Sequence, residues 1–185
     1  MKKFRKLLFF AAITALLTCL LCVALNATQY SGNCGNNGNN VTWSLDTETG
    51  VLKIEGKGAM ADYVYNNWNG SNNYAPWYNY RSSIKTAKIG DGVTSIGDSV
   101  FFSCGNLTSI TIPNSVTNIG SDAFSGCVSL TSIEIPSSIT SIKSGAFSYC
   151  HGLTNIDIPS SVTSIGSGPF TGCSKLTSIN VNEAS

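Results

Sequence analysis

Leu107-Thr-Ser-Ile-Thr-Ile-Pro113 returns as Leu130-Thr-Ser-Ile-Glu-Ile-Pro136 and again as Leu153-Thr-Asn-Ile-Asp-Ile-Pro159, each copy beginning 23 residues after the one before. A degenerate copy starts at Ile84, and a last one starts at Leu176 and breaks off after ten residues. Self-similarity with a period between about 20 and 50 residues is typical of proteins whose repeats stack on one another. The sequence therefore predicts a β-rich fold of parallel strands stacked coil on coil.

Each repeat carries three groups of apolar positions that we expect to face the interior. A proline ends the first group and turns the chain, because it has no N–H to donate to a neighbouring strand. No single coil can bury its own apolar side chains, so neighbouring coils must bury them for one another. In the copy that begins at Leu107, the inward positions are Leu107, Ile110, Ile112, Val116, Ile119, Ala123, Phe124 and Cys127.

Stacking the coils predicts columns of identical side chains. Equivalent residues of adjacent coils should lie about 4.8 Å apart, the spacing of paired strands. A Ser or Asp precedes each buried Phe and is a good helix N-cap, which predicts a short helical turn there. The N-cap positions are Asp98, Ser121, Ser144 and Ser167. The core columns are Phe101, Phe124, Phe147 and Phe170, and Cys104, Cys127, Cys150 and Cys173.

Residues 1–27 have the features of an export signal. A basic start is followed by an uncharged apolar run at 7–25 and by small residues near Ala24 and Ala27. This pattern predicts a secreted or cell-surface protein whose signal is cleaved. The run nearly reaches the length that spans a bilayer, so residues 7–25 are also the one candidate for a membrane anchor if the signal is uncleaved.

Residues 28–83 divide into a linker and a cap. The stretch 28–40 is rich in Gly and Asn, which predicts a polar linker with Cys34 as an exposed thiol. Residues 41–83 predict an N-terminal cap for the first coil, since terminal repeats need one. Apolar and polar residues alternate on both sides of a turn at 47–50, which indicates a β-hairpin. The aromatic segment at 63–80 either closes the core through Trp77 or forms a contact surface.

Charged residues are few, and they do not form the basic pattern that nucleic-acid binding requires. Only 11% of the residues are charged, against about 25% in typical globular proteins. From Thr28 onward seven Lys and Arg stand against ten Asp and Glu, a net charge of −3. Nucleic-acid-binding proteins present basic patches instead.

The side chains that most often carry chemistry have structural explanations here. The stacking would spread four equivalent Cys over roughly 14 Å, too far for one tetrahedral zinc site. Adjacent Cβ atoms would also exceed the ~3.8 Å that a disulfide prefers. His151, the only histidine, lies in a variable turn without a positioned partner. We expect no catalytic residue, metal or cofactor, and an envelope-acting hydrolase using His151 and Glu134 is the weakest alternative.

The pattern Leu-x-x-Ile-x-Ile-Pro-x-x-Val-x-x-Ile-Gly-x-x-Ala-Phe-x-x-Cys over residues 84–181 resembles the BspA-like leucine-rich repeat, found mostly in bacterial surface proteins. The hairpin and the segment 75–81 also look like the leader that often precedes these repeats. The resemblance implies a right-handed leucine-rich-repeat solenoid that is exported, is not an enzyme, and serves in surface adhesion or protein binding. A structural spacer or scaffold fragment of a larger envelope protein is the alternative.

The outward positions of the first strand form the predicted binding surface. They vary from coil to coil, and concave sheets of solenoids are usual binding surfaces for proteins or glycans. Glu134 and Asp157 could hold a cation or a basic group of a partner, or simply tolerate each other in water. The rows are Lys88, Thr111, Glu134, Asp157 and Asn180, and beside them Thr86, Ser109, Ser132, Asn155 and Ser178.

The last copy begins a coil that it does not complete. Leu176, Ile179 and Val181 would therefore present an uncovered strand edge. We expect this edge to pair with another chain or with further repeats.

Overall fold

The computed structural model describes residues 28–64 and 73–182. These residues form twelve strands and a 3₁₀ helix at Tyr78–Ser83, and none of their helical structure has the length and hydrophobicity that crossing a bilayer requires. The predicted export segment 1–27 lies outside the described residues. The strands are β1 (Gln29–Gly35), β2 (Gly38–Asp46), β3 (Val51–Gly56), β4 (Gly58–Ala59), β5 (Thr86–Ile89), β6 (Val93–Ser95), β7 (Ser109–Thr111), β8 (Asn118–Ile119), β9 (Ser141–Ile142), β10 (Asn155–Ile158), β11 (Ser164–Ile165) and β12 (Ser178–Val181).

A five-stranded sheet joins the N-terminal region to the first two coils, in the order β1-β2-β3-β5-β7. β2 and β3 pair antiparallel with Trp43 opposite Ile54, as the alternation predicts. The turn between them uses Gly50 at φ 74°, a left-handed conformation that glycine adopts without a steric penalty. β3 then pairs in parallel with β5, with Lys53 opposite Lys88. The cap and the repeats therefore share one sheet.

The prediction of a linker at 28–40 is wrong. Residues 29–35 form β1 and residues 38–40 begin β2, and these strands pair antiparallel. Cys34 is buried, at 3% exposure, and Tyr30 stacks on Tyr80 with ring centroids 3.9 Å apart. A composition rich in Gly and Asn indicates that few apolar side chains are available for burial. A strand, however, is held by main-chain hydrogen bonds that any residue except proline can make.

Parallel pairing joins residues 23 positions apart in successive repeats. At the first-strand position Thr86 lies opposite Ser109, and Asn155 lies opposite Ser178. At the second-strand position β8, β9 and β11 pair side by side. The pairing is interrupted, because residues 132–135 belong to no strand. Within the described residues the strands thus form four sheets, and the fold is β-rich without one unbroken ladder.

The predicted helical turns before the buried phenylalanines are also wrong. In each described repeat the residue after the predicted N-cap has a positive φ, which ends a right-handed helix. The N–H groups instead bond to the next coil: Asp122 N donates to Ser144 O at 3.0 Å, and Phe124 N donates to Ala146 O at 2.8 Å. Each turn also keeps a bond of its own, such as Ser125 N to Asp122 O at 3.1 Å, but it does not continue into a helix. The φ values are 54° at Ser99, 52° at Asp122, 64° at Gly145 and 55° at Gly168.

A column of aromatic rings runs through the core. Successive phenylalanines stack with centroid distances of 5.1, 5.3 and 5.7 Å. Trp77 continues the column into the cap, since its ring lies 6.2 Å from Phe101 and its Nε1 donates to Val100 O at 3.0 Å. Trp77, Phe101, Phe124 and Phe147 are fully buried, whereas Phe170 at the other end is half-buried. Trp77 thus closes the core at the cap.

Phe124→Ala should lower the free energy of unfolding by about 3–5 kcal/mol, because it removes a ring in contact on both faces and leaves a cavity. Phe170→Ala is the matched control and should lose clearly less, since that ring is half-buried and has one stacked neighbour among the described residues. Urea unfolding followed by circular dichroism measures both. Equal losses would show that the column does not end at Phe170.

Candidate functional site

One line of side chains crosses the outward face of the paired strands, and we call it the strand-face row. From β1 to β7, one outward residue of each strand lies directly opposite the next. β10 and β12 are matched in the same way. Glu134 holds the same repeat position between Thr111 and Asp157. The strand-face row consists of Ser31, Ser44, Lys53, Lys88, Thr111, Glu134, Asp157 and Asn180.

The residues predicted for the binding surface lie on this side of the strands. Asp157 and Asn180 are in contact, with Asn180 Nδ2 donating to Asp157 Oδ1 at 2.7 Å. Glu134 lies in the segment that forms no strand, so no main-chain pairing fixes its distance from Asp157. Thr86 and Ser178 are half-buried, and the exposed members are Lys88, Ser109, Thr111, Ser132, Glu134, Asn155, Asp157 and Asn180.

Three residues of the strand-face row come from the cap and were missed by sequence reasoning. Ser31, Ser44 and Lys53 continue the row beyond Lys88. The alternation in the hairpin already places Ser44 and Lys53 opposite the buried side. Which hairpin residue would meet Lys88 depends on the register of β3 on β5, and the repeat period carries no information about that register.

Shallow depressions flank the charged parts of the row. One of about 280 Å³ is lined by Ser44, Lys53 and Lys88 among others. Glu134 and Asp157 line another of about 370 Å³. A third, of about 720 Å³, lies over the interrupted pairing and includes Glu134. The face offers recesses for side chains rather than one deep pocket.

Many surface hydroxyls are engaged in holding the coils together. Thr117, Thr140 and Thr163 each donate through Oγ1 to the carbonyl of the threonine 23 residues earlier, at 3.3, 3.2 and 3.3 Å. A second series donates to apolar residues 22 positions earlier, at 2.7, 2.6 and 2.7 Å, and consists of Ser115, Ser138 and Ser161. These residues are structural, which leaves the strand-face row as the variable surface.

His151 is exposed, and its Nδ1 lies 3.4 Å from Ser174 Oγ. In the part of the chain that the structure describes, no carboxylate bonds to the ring to orient it, as a general base would require. Within residues 28–64 and 73–182, no three His, Cys, Asp or Glu side chains come together as a metal site.

The sequence model of the BspA type leucine rich repeat region matches residues 74–185, in six copies. The chain belongs to the BspA-type leucine-rich-repeat family. The resemblance inferred from the repeat pattern is thereby confirmed. The match takes in residues 74–83, which the repeat count from Ile84 assigned to the cap, and it gives six copies where the sequence reading counted five including the partial one.

Solved structures of bacterial leucine-rich-repeat proteins share the fold. A leucine-rich repeat protein from Eubacterium ventriosum is 29% identical with a TM-score of 0.62, and the match covers 84% of this chain and 45% of that one. The T. pallidum leucine rich repeat protein is 30% identical, with a TM-score of 0.54 and coverages of 74% and 66%. One from Bacteroides ovatus is 28% identical, with a TM-score of 0.53 and coverages of 76% and 39%.

The BspA-type chain therefore spans less than two thirds of the length of each of these three proteins. No curated protein sequence matches the chain. Leucine-rich-repeat families are generally protein-binding modules, and nothing in the described residues or in these similarities points to catalysis.

The four cysteines of the BspA-type repeats share one environment. Cys127, Cys150 and Cys173 donate through Sγ to the carbonyls of the phenylalanines 26 residues earlier, at 3.3, 3.1 and 3.1 Å. Burial raises the pKa of the Cys104 and Cys150 thiols to about 12 and raises the pKa of Cys127 and Cys173 as well. The raised pKa values keep all four thiols protonated, and none of the five described cysteines forms a disulfide.

Thiol labelling should follow burial. With iodoacetamide at pH 8, half-buried Cys173 should react first, because the thiolate is the reactive form and needs access. Cys34, Cys104, Cys127 and Cys150 should react only on unfolding, as followed by peptide mass mapping. Early labelling of Cys127, the most enclosed thiol, would contradict the stacked arrangement.

Acids of successive coils meet at the left-handed corner. Partial burial, followed by the negative charge of Asp98, raises the pKa of Asp122. Asp98 accepts the Ser121 N–H at 2.7 Å and lies 3.5 Å from Lys143 Nζ. The folded state therefore holds the proton of Asp122 more tightly than the unfolded chain does.

The contribution of Asp122 to the stability of the BspA-type chain should consequently fall as pH rises from its ordinary pKa of 3.8 through its raised folded value. Asp122→Asn should exceed the parent in stability at pH 7 and match it near pH 3, where the parent carboxyl is protonated. Thermal unfolding at several pH values measures this. Asp98→Asn should remove only part of the pH dependence that Asp122 contributes, because burial is the larger cause of the raised pKa. Parallel pH profiles of stability for the parent and Asp122→Asn would refute the role of Asp122.

Proposed function

We propose that the BspA-type repeats form a continuous right-handed solenoid whose strand face binds a host, matrix or envelope protein, or a glycan. The observation that carries this proposal is the strand-face row. Apart from half-buried Ser44 its members are exposed, and they differ chemically from one repeat to the next, whereas the buried positions beneath them repeat. A surface that varies over a constant interior is expected of a recognition face.

The hydrogen bonding of the face supports the same role. The hydroxyls of the structural threonines donate hydrogen bonds to carbonyls of neighbouring coils. Among the described residues, the charged and polar tips of Lys88, Thr111 and Glu134 make no such bond, so they stay available to a ligand.

Export and adhesion are part of the proposal. The signal pattern at 1–27 supports delivery out of the cytoplasm, either as a secreted chain or at the cell surface. Membership of the BspA-type family agrees with a surface role in adhesion or protein binding.

A second role, as a spacer or scaffold in an envelope protein, is favoured by exposed apolar side chains on β12. β12 pairs only with β10 among the described strands. Ile179 and Val181 are 50% and 70% exposed, and Leu176 is half-buried. An edge of this kind is a template for pairing, and in this role another chain or further repeats would cover it.

Surface plasmon resonance against a panel of matrix proteins and glycans tests the binding role. A variant with Lys88, Glu134, Asp157 and Asn180 changed to Ala should lose roughly tenfold or more in affinity, if these side chains include the main contacts. The control carries Lys175→Ala, Glu48→Ala and Asn36→Ala, three exposed residues off the row, and should bind like the parent.

Two results would count against this proposal. Unchanged binding by the row variant would show that the strand face is not the recognition surface. Absence of binding to every panel member, by parent and variants alike, would favour the spacer role.

A further inference from the structure

Charges on the strand-face row are grouped by sign. Lys53 lies directly opposite Lys88. Thr111 follows, and Glu134 and Asp157 occupy the next two repeat positions. All five are exposed. From the cap toward the last repeat, these five members of the row are positive, positive, neutral, negative and negative.

Fold stability does not account for this order. Like charges on directly paired residues are destabilising, and opposite charges there are stabilising. Exchanging one lysine with one acid would give attraction between neighbours at no change in composition. Within the described residues the single ion pair is Lys143 with Asp98, so none of the four row charges is neutralised by a neighbour within 4 Å.

Other acids near the lysines are placed differently. Asp46 is directed at its own turn, where it accepts the N–H groups of Glu48 and Thr49 at 3.0 and 3.2 Å. Glu55 lies opposite Thr42, two residues along β3 from Lys53. Neither carboxylate is a member of the row, although Asp46 lines the depression of about 280 Å³ together with Lys53 and Lys88.

Spacing gives the size of the complementary group. The centre of the lysine pair and the centre of the acid pair are three coil steps apart, which is at least about 14 Å at the ~4.8 Å of paired strands, because the rings beneath the unpaired segment stack at 5.1 to 5.7 Å. An extended polypeptide advances about 3.3 Å per residue, so this separation corresponds to about four residues.

We infer that the strand face recognises an extended polypeptide segment of its partner that carries acidic side chains about four residues away from basic ones. The segment lies along the row, across the strands, with its acids over Lys53 and Lys88 and its basic residues over Glu134 and Asp157. This inference rests on the proposed binding function and specifies the partner. The depressions of about 280 and 370 Å³ beside the two charge pairs receive the side chains.

A second copy of the chain has matching charges too, because a two-fold axis through Thr111 would place each lysine pair over an acid pair. Such a dimer would bring two hydrophilic faces together. The recesses beside the charges fit inserted side chains better than a flat face, which favours the extended segment.

A synthetic peptide provides the test. The ¹⁵N-labelled protein is titrated at low ionic strength with acetyl-Asp-Asp-Ser-Ser-Lys-Lys-amide, whose blocked ends carry no charge. Amide shifts should appear on β3, on β5 and around residues 132–157. A peptide of the same composition in the order Asp-Lys-Ser-Ser-Asp-Lys should bind about fivefold more weakly, and salt near 1 M should abolish binding by both, because charges are then screened beyond ~3 Å.

Charge reversal supplies the matched variants. Lys53→Glu with Lys88→Glu makes the row acidic, so the mixed peptide should bind roughly tenfold more weakly, at a factor of about two to five per exposed pair. The same variant should gain affinity for acetyl-Lys-Lys-Ser-Ser-Lys-Lys-amide. Lys57→Glu with Lys175→Glu has the same net charge but lies off the row, and its preference should equal that of the parent.

Three outcomes would overturn the inference. Equal affinity for the two charge orders would do so, and so would the absence of shifts with every peptide. If the alanine variant still loses matrix-protein binding in either case, the proposed function stands without this partner. Sedimentation equilibrium showing a dimer that Lys53→Glu with Lys88→Glu disrupts would assign the face to a second copy.

Discussion

Register between coils is the constraint on which the rest of this structure depends. Main-chain pairs join residues 23 positions apart, at Thr86 with Ser109 and at Asn155 with Ser178. With that offset constant, each phenylalanine ring meets another ring, and each threonine hydroxyl reaches the carbonyl of its counterpart. The thiol bonds follow the same geometry. Each Sγ bonds to the carbonyl of the phenylalanine three residues before the cysteine of the preceding coil, so their offset of 26 residues is one period of 23 plus three. Many weak contacts are thus aligned together.

The N-terminal cap meets this constraint with different residues. Trp77 takes the place that a further phenylalanine would hold, and it also donates to Val100 O, which a phenylalanine could not do. Trp43 packs edge-on against Trp77 with centroids 5.6 Å apart. β3 continues the strand pairing of the repeats, and β1 and β2 extend it antiparallel. The cap therefore completes both the ring column and the sheet, and it adds Lys53 to the strand-face row.

The repeat period predicts everything that depends on equivalence between coils. The buried phenylalanines, the thiol column and the outward position of Glu134 and Asp157 all follow from 23-residue spacing and the alternation of a strand. The hairpin follows from alternation alone. The features that the sequence did not predict are determined by main-chain hydrogen bonds and main-chain conformation. β1 has few apolar residues, and the corner at Asp122 is left-handed although Ser121 is a good N-cap. The role of Lys53 depends on the register of a segment that does not repeat.

The constant offset also decides which changes in length the chain can accommodate. Adding or removing one residue within a coil would change the offset of each ring, thiol and hydroxyl pair that spans that point, while pairs within the later coils would keep theirs. Duplicating a whole unit of 23 residues would leave all of those contacts in place, because each unit contacts only its neighbours. Unequal recombination between near-identical units can therefore vary copy number without redesigning the interior. A unit gained between Thr111 and Glu134 would separate the basic and acidic groups by a further ~4.8 Å, so the number of repeats would set the distance between the two charge groups.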